Sequence, residues 1–188
     1  RSLGENRQLN AKSALGLRML ENKATQMESE GRLTDALACC REIAESLQEL
    51  GDKEATAAAL DRAAAVCMKM GDYSEALQLT EDSERLYRTT KNISLLAGSL
   101  LIQANCYFHL SNGKNLFKCL REASQLYIDE GDPSGYGQCM ELFAQAYEAM
   151  DLDERCHEYF TLAERAFRAC DDFDHLGGAL HNRASYHF

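Results

Sequence analysis

Apolar and polar positions along this chain repeat on two scales, the helical turn and a stride of 40 residues. Leu20, Leu60, Leu100, Met140 and Leu180 mark the stride, and four residues after each comes alanine: Ala24, Ala64, Ala104, Ala144 and Ala184. Three further on stand Met27, Cys67, Tyr107 and Tyr147, and another column holds Leu47, Tyr87, Tyr127 and Phe167. A large apolar residue, an alanine at i+4 and a large residue at i+7 lie on one helical stripe. The alanine lets a neighbouring helix backbone approach, and the large residues fill the space on either side of it.

Turn residues separate the stripes at matching intervals. Gly31, Gly71, Asn112-Gly113 and Asp151 are expected to close the first helix of each pair, and Gly51, Lys91-Asn92, Gly131 and Asp171-Asp172 the second. Glycine supplies the left-handed residue that ends a helix. Pro133 suits a first helical turn, where its missing N–H costs nothing. The pattern predicts helices over 11–30, 34–50, 53–70, 74–90, 93–110, 114–130, 133–149, 153–169 and 173–187. Linkers this short make consecutive helices pack antiparallel. The chain thus reads as a single helical-repeat domain over 1–188, with repeats near 13–52, 53–92, 93–132 and 133–172 and a half repeat at 173–188.

Composition narrows the function classes. Of 188 residues, 45% are hydrophobic, enough for a core without disulfides or metals. One proline argues against a β-rich chain, which needs denser turn punctuation. A formal charge of −10 disfavours nucleic acid as a partner, because phosphate contacts need clustered lysine and arginine. No run of 18 apolar residues is present, so no membrane span is expected. The opening Arg1-Ser2-Leu3-Gly4-Glu5 has no initiator methionine or apolar signal segment and reads as the start of a piece cut from a longer protein. Eight cysteines, none in a C-x-x-C pair, sit mostly inside amphipathic helical patterns. They are expected to be reduced, buried thiols of a cytoplasmic protein.

The columns resemble the tetratricopeptide repeat. Leu60, Ala64, Cys67, Ala76 and the turn Gly71-Asp72-Tyr73 follow that pattern, as do Met140, Ala144, Tyr147, Phe160 and Ala163. Asp35-Ala36-Leu37 and Glu75-Ala76-Leu77 are similar to the opening of the family's second helix. The stride of 40 is longer than the usual repeat of about 34. It is similar to the long-repeat branch of the Pins/LGN polarity adaptors, kinesin light chain and rapsyn. The third repeat departs from the pattern, with Leu116 and Phe117 where the alanine opening would stand, and the fourth has Cys156 and His157 there. The resemblance implies an all-α fold, an α-solenoid of antiparallel helix pairs wound as a right-handed superhelix. It also implies that the first helix of each pair lines a concave groove that holds a peptide or helix of a protein partner.

Carried over column by column, the resemblance points to Glu21, Asp61, Met68, Leu101, Asn105, Phe108, Glu141 and Gln145 as partner-binding residues. Asn105 lies in Gln103-Ala104-Asn105-Cys106-Tyr107-Phe108, a stretch similar to one in which the family's asparagine binds an extended backbone. An amide can do so because it donates and accepts together. An apolar centre around Met68, Leu101, Ile102 and Phe108, with carboxylates nearby, favours a partner with an apolar anchor and basic residues. Each residue has a plainer reading. Glu21, Asp61, Glu141 and Glu148 also fit a solvated helix face, and Leu101 and Phe108 also fit packing against the next repeat.

Motifs for catalysis are missing from the sequence: there is no Gly-rich phosphate cradle, no H-E-x-x-H and no G-x-S-x-G. Cys106 and His109 are three apart on one helix, with no third group to orient them and too few ligands for a metal. The sequence therefore points to a non-enzymatic scaffold or adaptor with no cofactor. Two other functions stay open: a self-association module that makes a homo-oligomer, and a regulatory arm of a larger enzyme. Leu180 and Ala184 lie on a first helix with no second helix after it, a face that suits either a dimer contact or a junction to further repeats.

Overall fold

The computed structural model describes residues 14–186. Among the described residues the chain is helical throughout: α1 (Ala14–Ser29), α2 (Leu33–Leu50), α3 (Lys53–Met70), α4 (Tyr73–Thr90), α5 (Ile93–His109), α6 (Gly113–Glu130), α7 (Pro133–Glu148), α8 (Asp153–Ala169) and α9 (Phe173–Tyr186). Every predicted helix is present, and ends inside the described residues agree to one position. The expected extensions to 11 and 187 lie outside the described residues.

The corners explain this agreement, because they repeat every 20 residues. Gly31, Gly51, Gly71, Lys91, Ser111, Gly131, Asp151 and Asp171 all have left-handed backbone, with φ between 55° and 80°. The residue after each donates its N–H back to the carbonyl of Met27, Leu47, Cys67, Tyr87, Tyr107, Tyr127, Tyr147 or Phe167, the bond that closes a Schellman turn. The following helix is then capped. Asp52, Asp72, Asn92, Asn112, Asp132 and Asp172 each accept the N–H three residues on. Arg32 and Leu152 occupy the same position without a side-chain cap. One expected corner shifts: Ser111, not Asn112-Gly113, takes the left-handed backbone at φ 55°, and Gly113 is the first residue of α6.

The described chain divides into two compact units, with the boundary in sequence between Leu95 and Leu96. In the first unit α1 packs on α2, α2 on α3 and α3 on α4. Its core joins Ile43, Ala44 and Ala59 with Leu17, Leu20, Leu47 and Leu60. Ala24 and Ala64 are fully buried at helix crossings, as are Ala36 and Ala76 at the openings of α2 and α4.

In the second unit α7 packs on both α6 and α8, and α9 packs on α8 and α7. Ala104 and Ala144 are fully buried, whereas Ala184 is exposed and Leu180 is 42% exposed. Two buried glycines let rings lie on the backbone of α7: Gly135 faces Tyr127 of α6, and Gly137 faces Phe167 of α8. A buried carboxylate, Glu164, accepts from Arg183 at 2.6 Å and ties α8 to α9. Arg168, also on α8, lies 3.7 Å from the other Glu164 oxygen, so two guanidinium groups balance the buried charge.

Candidate functional site

The sequence-predicted residues fall on α1, α3, α5 and α7, the first helices of their pairs. In the first unit Glu21 is exposed and Met68 half-buried. Glu21 borders a hollow of about 270 Å3 whose walls include Leu17, Ile43 and Arg62. Asp61 is turned toward α4, where Ser83 Oγ donates to its Oδ1. The buried Tyr87 phenol also donates to Asp61, and burial together with that carboxylate pushes its pKa well above the usual phenol value. Asp61 thus stands in an α3–α4 hydrogen-bond cluster.

Neighbouring first helices meet through a polar lattice. Arg62 of α3 donates to Thr25 Oγ1 at 2.7 Å and to Glu28 Oε1 at 3.1 Å on α1, while Lys69 reaches Glu28 Oε2 at 2.7 Å. Hydrogen bonds from Lys69 and Arg62 hold the Glu28 carboxyl below its ordinary value, against the opposing effect of burial.

The second unit repeats this lateral contact. Asn182 of α9 donates to Glu141 Oε1 of α7 at 2.6 Å. Burial raises the Glu141 pKa, and the Asn182 hydrogen bond works against that rise. Phe108 lies at a hollow of about 190 Å3 that also touches Ala146, Ala149 and Met150 at the end of α7. Glu141 and Phe108 are therefore turned toward the next first helix. Leu101, Asn105 and Gln145 are half-buried on α5 and α7. Among the described residues, neither the Asn105 nor the Gln145 amide is engaged in a hydrogen bond.

Two features contain none of the predicted partner-binding residues. In the first unit a hollow of about 620 Å3 runs between the second helices α2 and α4, walled by Arg41 and Glu45 on one side and Asp82 and Arg85 on the other, with Leu60 of α3 among its lining residues. Arg41 and Arg85 are already paired, with Glu75 and Asp82. The i, i+3 and i, i+4 spacing of opposite charges was the available signal. In the second unit Phe117, Phe143, Tyr147 and Tyr159 form a ring ladder across α6, α7 and α8, with centroids 4.9–5.8 Å apart. Arg155 lies over the Tyr147 ring at 5.9 Å. Such pairs add packing energy beyond the area they bury.

Cys106 is fully buried and His109 is exposed. No group of three or more metal-ligating side chains is gathered among the described residues. No described helix is long and apolar enough to cross a membrane.

The tetratricopeptide repeat family model matches residues 17–89. A search of the curated proteins finds no match. Among solved structures, BtubC (BKLC) from P. vanneervenii superposes with a TM-score of 0.72 at 14% identity, over 84% of this chain and 65% of that one. The chain thus spans about two thirds of BtubC. A Podosopora anserina protein assigned as kinesin light chain, with nearly identical TPR-like repeats, gives a TM-score of 0.66 at 14% identity, over 91% of this chain and 94% of that one. A single-substitution variant of that protein gives 0.67, over 90% and 93%. At this identity the likeness shows the fold.

Proposed function

We propose that this chain, a TPR-like solenoid of helix pairs in which residues 17–89 match the tetratricopeptide model, is a protein-interaction scaffold that holds a segment of a partner against its first helices. Tetratricopeptide repeats generally mediate protein–protein contacts, and the function is placed on that level. The observation that carries the finer reading is the pair Asn105 and Gln145. They stand at the same position of consecutive first helices, half-buried, with amides unspent within the described residues. Such amides can meet both the N–H and the C=O of an extended backbone. Leu101 beside them supplies apolar contact, and the carboxylates of this acidic chain favour a partner with basic residues. The buried, unbridged cysteines suit a reducing compartment such as the cytoplasm.

The test compares wild type with the Asn105→Ala/Gln145→Ala double variant as bait for partner capture. A specific partner should be depleted by about 10-fold, with an unchanged melting temperature. Full retention of every partner by the double variant would refute this site. Glu141 is a poor probe, because its bond to Asn182 mixes binding with stability. One observation favours self-association as a second reading: Phe173 and Leu180 on α9 are 68% and 42% exposed. Light scattering decides it, and a monomer mass at every concentration would remove it.

A further inference from the structure

The proposed function leaves unplaced the apolar anchor of the partner, and the second unit offers a place for it away from the amides. Where α5 turns into α6 and α7 into α8, Tyr107, Phe108, Leu116, Ala146, Ala149 and Met150 line the hollow of about 190 Å3. That is well below the range of small-molecule pockets, roughly 300–1,000 Å3, and suits one large side chain. Around these turns three apolar residues are left in solvent: Leu110 at 42%, Met150 at 46% and Leu152 at 47% exposure. Apolar groups gathered at one corner around a hollow mark an interaction surface more than scattered singles do.

Charge selects the occupant. Glu148, Asp151, Asp153 and Glu154 lie in the seven residues that end α7 and begin α8. The cations on the same turns are fewer. Lys114 stands at the start of α6, and Arg155 lies over the Tyr147 ring. We infer that this corner of the second unit seats a single large apolar side chain, leucine-like or phenylalanine-like, from a partner segment whose flanking residues are lysine or arginine. The inference rests on the reading of the chain as a protein-binding scaffold and deepens it by placing the anchor at the helix turns. Phe108 and Ala149 contact the anchor, Met150 covers it, and the carboxylates meet the basic flanks. The contacts span the α5 and α7 ends, so the site needs both repeats in place.

The test uses fluorescent synthetic peptides of about a dozen residues on the full chain, read by anisotropy. One has a central leucine flanked by lysine and arginine, a second has serine at the centre, and a third has glutamate flanks. The basic, leucine-centred peptide should bind at least about 10-fold more tightly than either control, and its affinity should fall as salt rises. Ala149→Leu fills the hollow from an exposed position and should weaken that peptide by about 10-fold. Met150→Asp should do the same while thermal melts stay in place. Equal binding of all three peptides, or none by any, overturns the inference. So does binding that ignores Ala149→Leu and Met150→Asp but is lost in Asn105→Ala/Gln145→Ala, although that result leaves the proposed function standing. Loss through the corner variants alone supports the corner and counts against the amide site.

Discussion

Substituting Gly137 by alanine sets two effects of opposite sign against each other. In a helix interior the exchange ordinarily stabilises by about 0.5–1 kcal/mol, because glycine loses more backbone entropy on folding. At Gly137 a Cβ would stand 2.6 Å from Phe167 Cε1, 2.8 Å from Cδ1 and 2.9 Å from Cζ, where ordinary contact begins at 3.4 Å. The ring must therefore retreat by roughly 0.8 Å as a rigid plate. Phe167 is fully buried and cannot swing into solvent. Overpacking of this kind costs about 1–3 kcal/mol, so the clash wins and Gly137→Ala should be less stable by about 1–2 kcal/mol.

The same chain supplies the control. Gly178 is exposed inside α9 and a Cβ there meets nothing within 4 Å, so Gly178→Ala should gain the full 0.5–1 kcal/mol or so. Urea titration followed by circular dichroism measures both. In a chain of this length each kcal/mol shifts the melting temperature by about 2–4 °C. Adding Phe167→Leu to Gly137→Ala should recover part of the loss, as a coupling of about 1 kcal/mol in a double-mutant cycle. If Gly137→Ala proves as stable as Gly178→Ala, the packing of Phe167 on α7 is not as described, and the reasoning fails.

Further outcomes follow from the polar clusters and the thiols. Asp61→Ala should cost about 1–3 kcal/mol by urea titration, because it takes the acceptor from the buried Tyr87 phenol, while Ser83 turns to the Thr80 carbonyl it already reaches at 3.0 Å; a neutral result would return Asp61 to the solvated surface. Glu28, whose pKa is lowered from 4.5, contributes stability that is present above that value and lost as pH falls through the depressed pKa. Glu28→Gln should therefore lose up to about 1 kcal/mol at neutral pH, discounted for its exposed partners, and flatten the acid limb of a stability–pH curve. Glu141 has the opposite sign: its pKa is raised from 4.5 by burial, so its contribution is full below 4.5 and lost as pH rises through the raised value. Glu141→Gln, which can still accept from Asn182, should be at least as stable as wild type at pH 7. Iodoacetamide applied to the native chain should label Cys170 first, since it is exposed and the other seven cysteines are buried. Mass spectrometry of Cys139, with a thiol pushed up to about 12 by burial, should find no adduct before unfolding.

The fold was legible because its corners are local. A left-handed residue, a Schellman bond and an Asx cap involve residues within one turn of each other, and the sequence writes them every 20 positions. The one slip has a physical reason. Glycine is the default for left-handed backbone, yet serine at 111 adopts it at φ 55° while Gly113 opens the next helix. The candidate site was less legible. Glu28 is not among the predicted binding residues, and Asp61 and Glu141 fit a solvated helix face as well as a binding one. Their actual partners are Lys69, Ser83 and Asn182, on neighbouring helices, and helical periodicity on one segment carries no information about which residue of another segment comes alongside.

That missing information has a simple form here. Glu28 meets Lys69 and Glu141 meets Asn182, each 41 residues on. Asn92 Nδ2 donates to Glu54 Oε1 at 2.8 Å and Ser134 Oγ to Asp172 Oδ2 at 2.6 Å, each 38 apart. The two offsets appear once in each unit, one near the C-terminal half of the first helices and one at their capped N-terminal ends. These lateral contacts thus share a register of two recurring offsets, as expected for repeats that touch only their neighbours, while the long Arg62 side chain reaches back 37 positions to Thr25 and 34 to Glu28. The register explains why Phe108 shares its hollow with Ala149, 41 positions later. It also separates residues that hold repeats together from residues left over for a ligand: positions with a partner at 38 or 41 are committed to their neighbours, whereas the Asn105 and Gln145 amides make no hydrogen bond among the described residues. A partner that binds the first helices must use what the register leaves unspent.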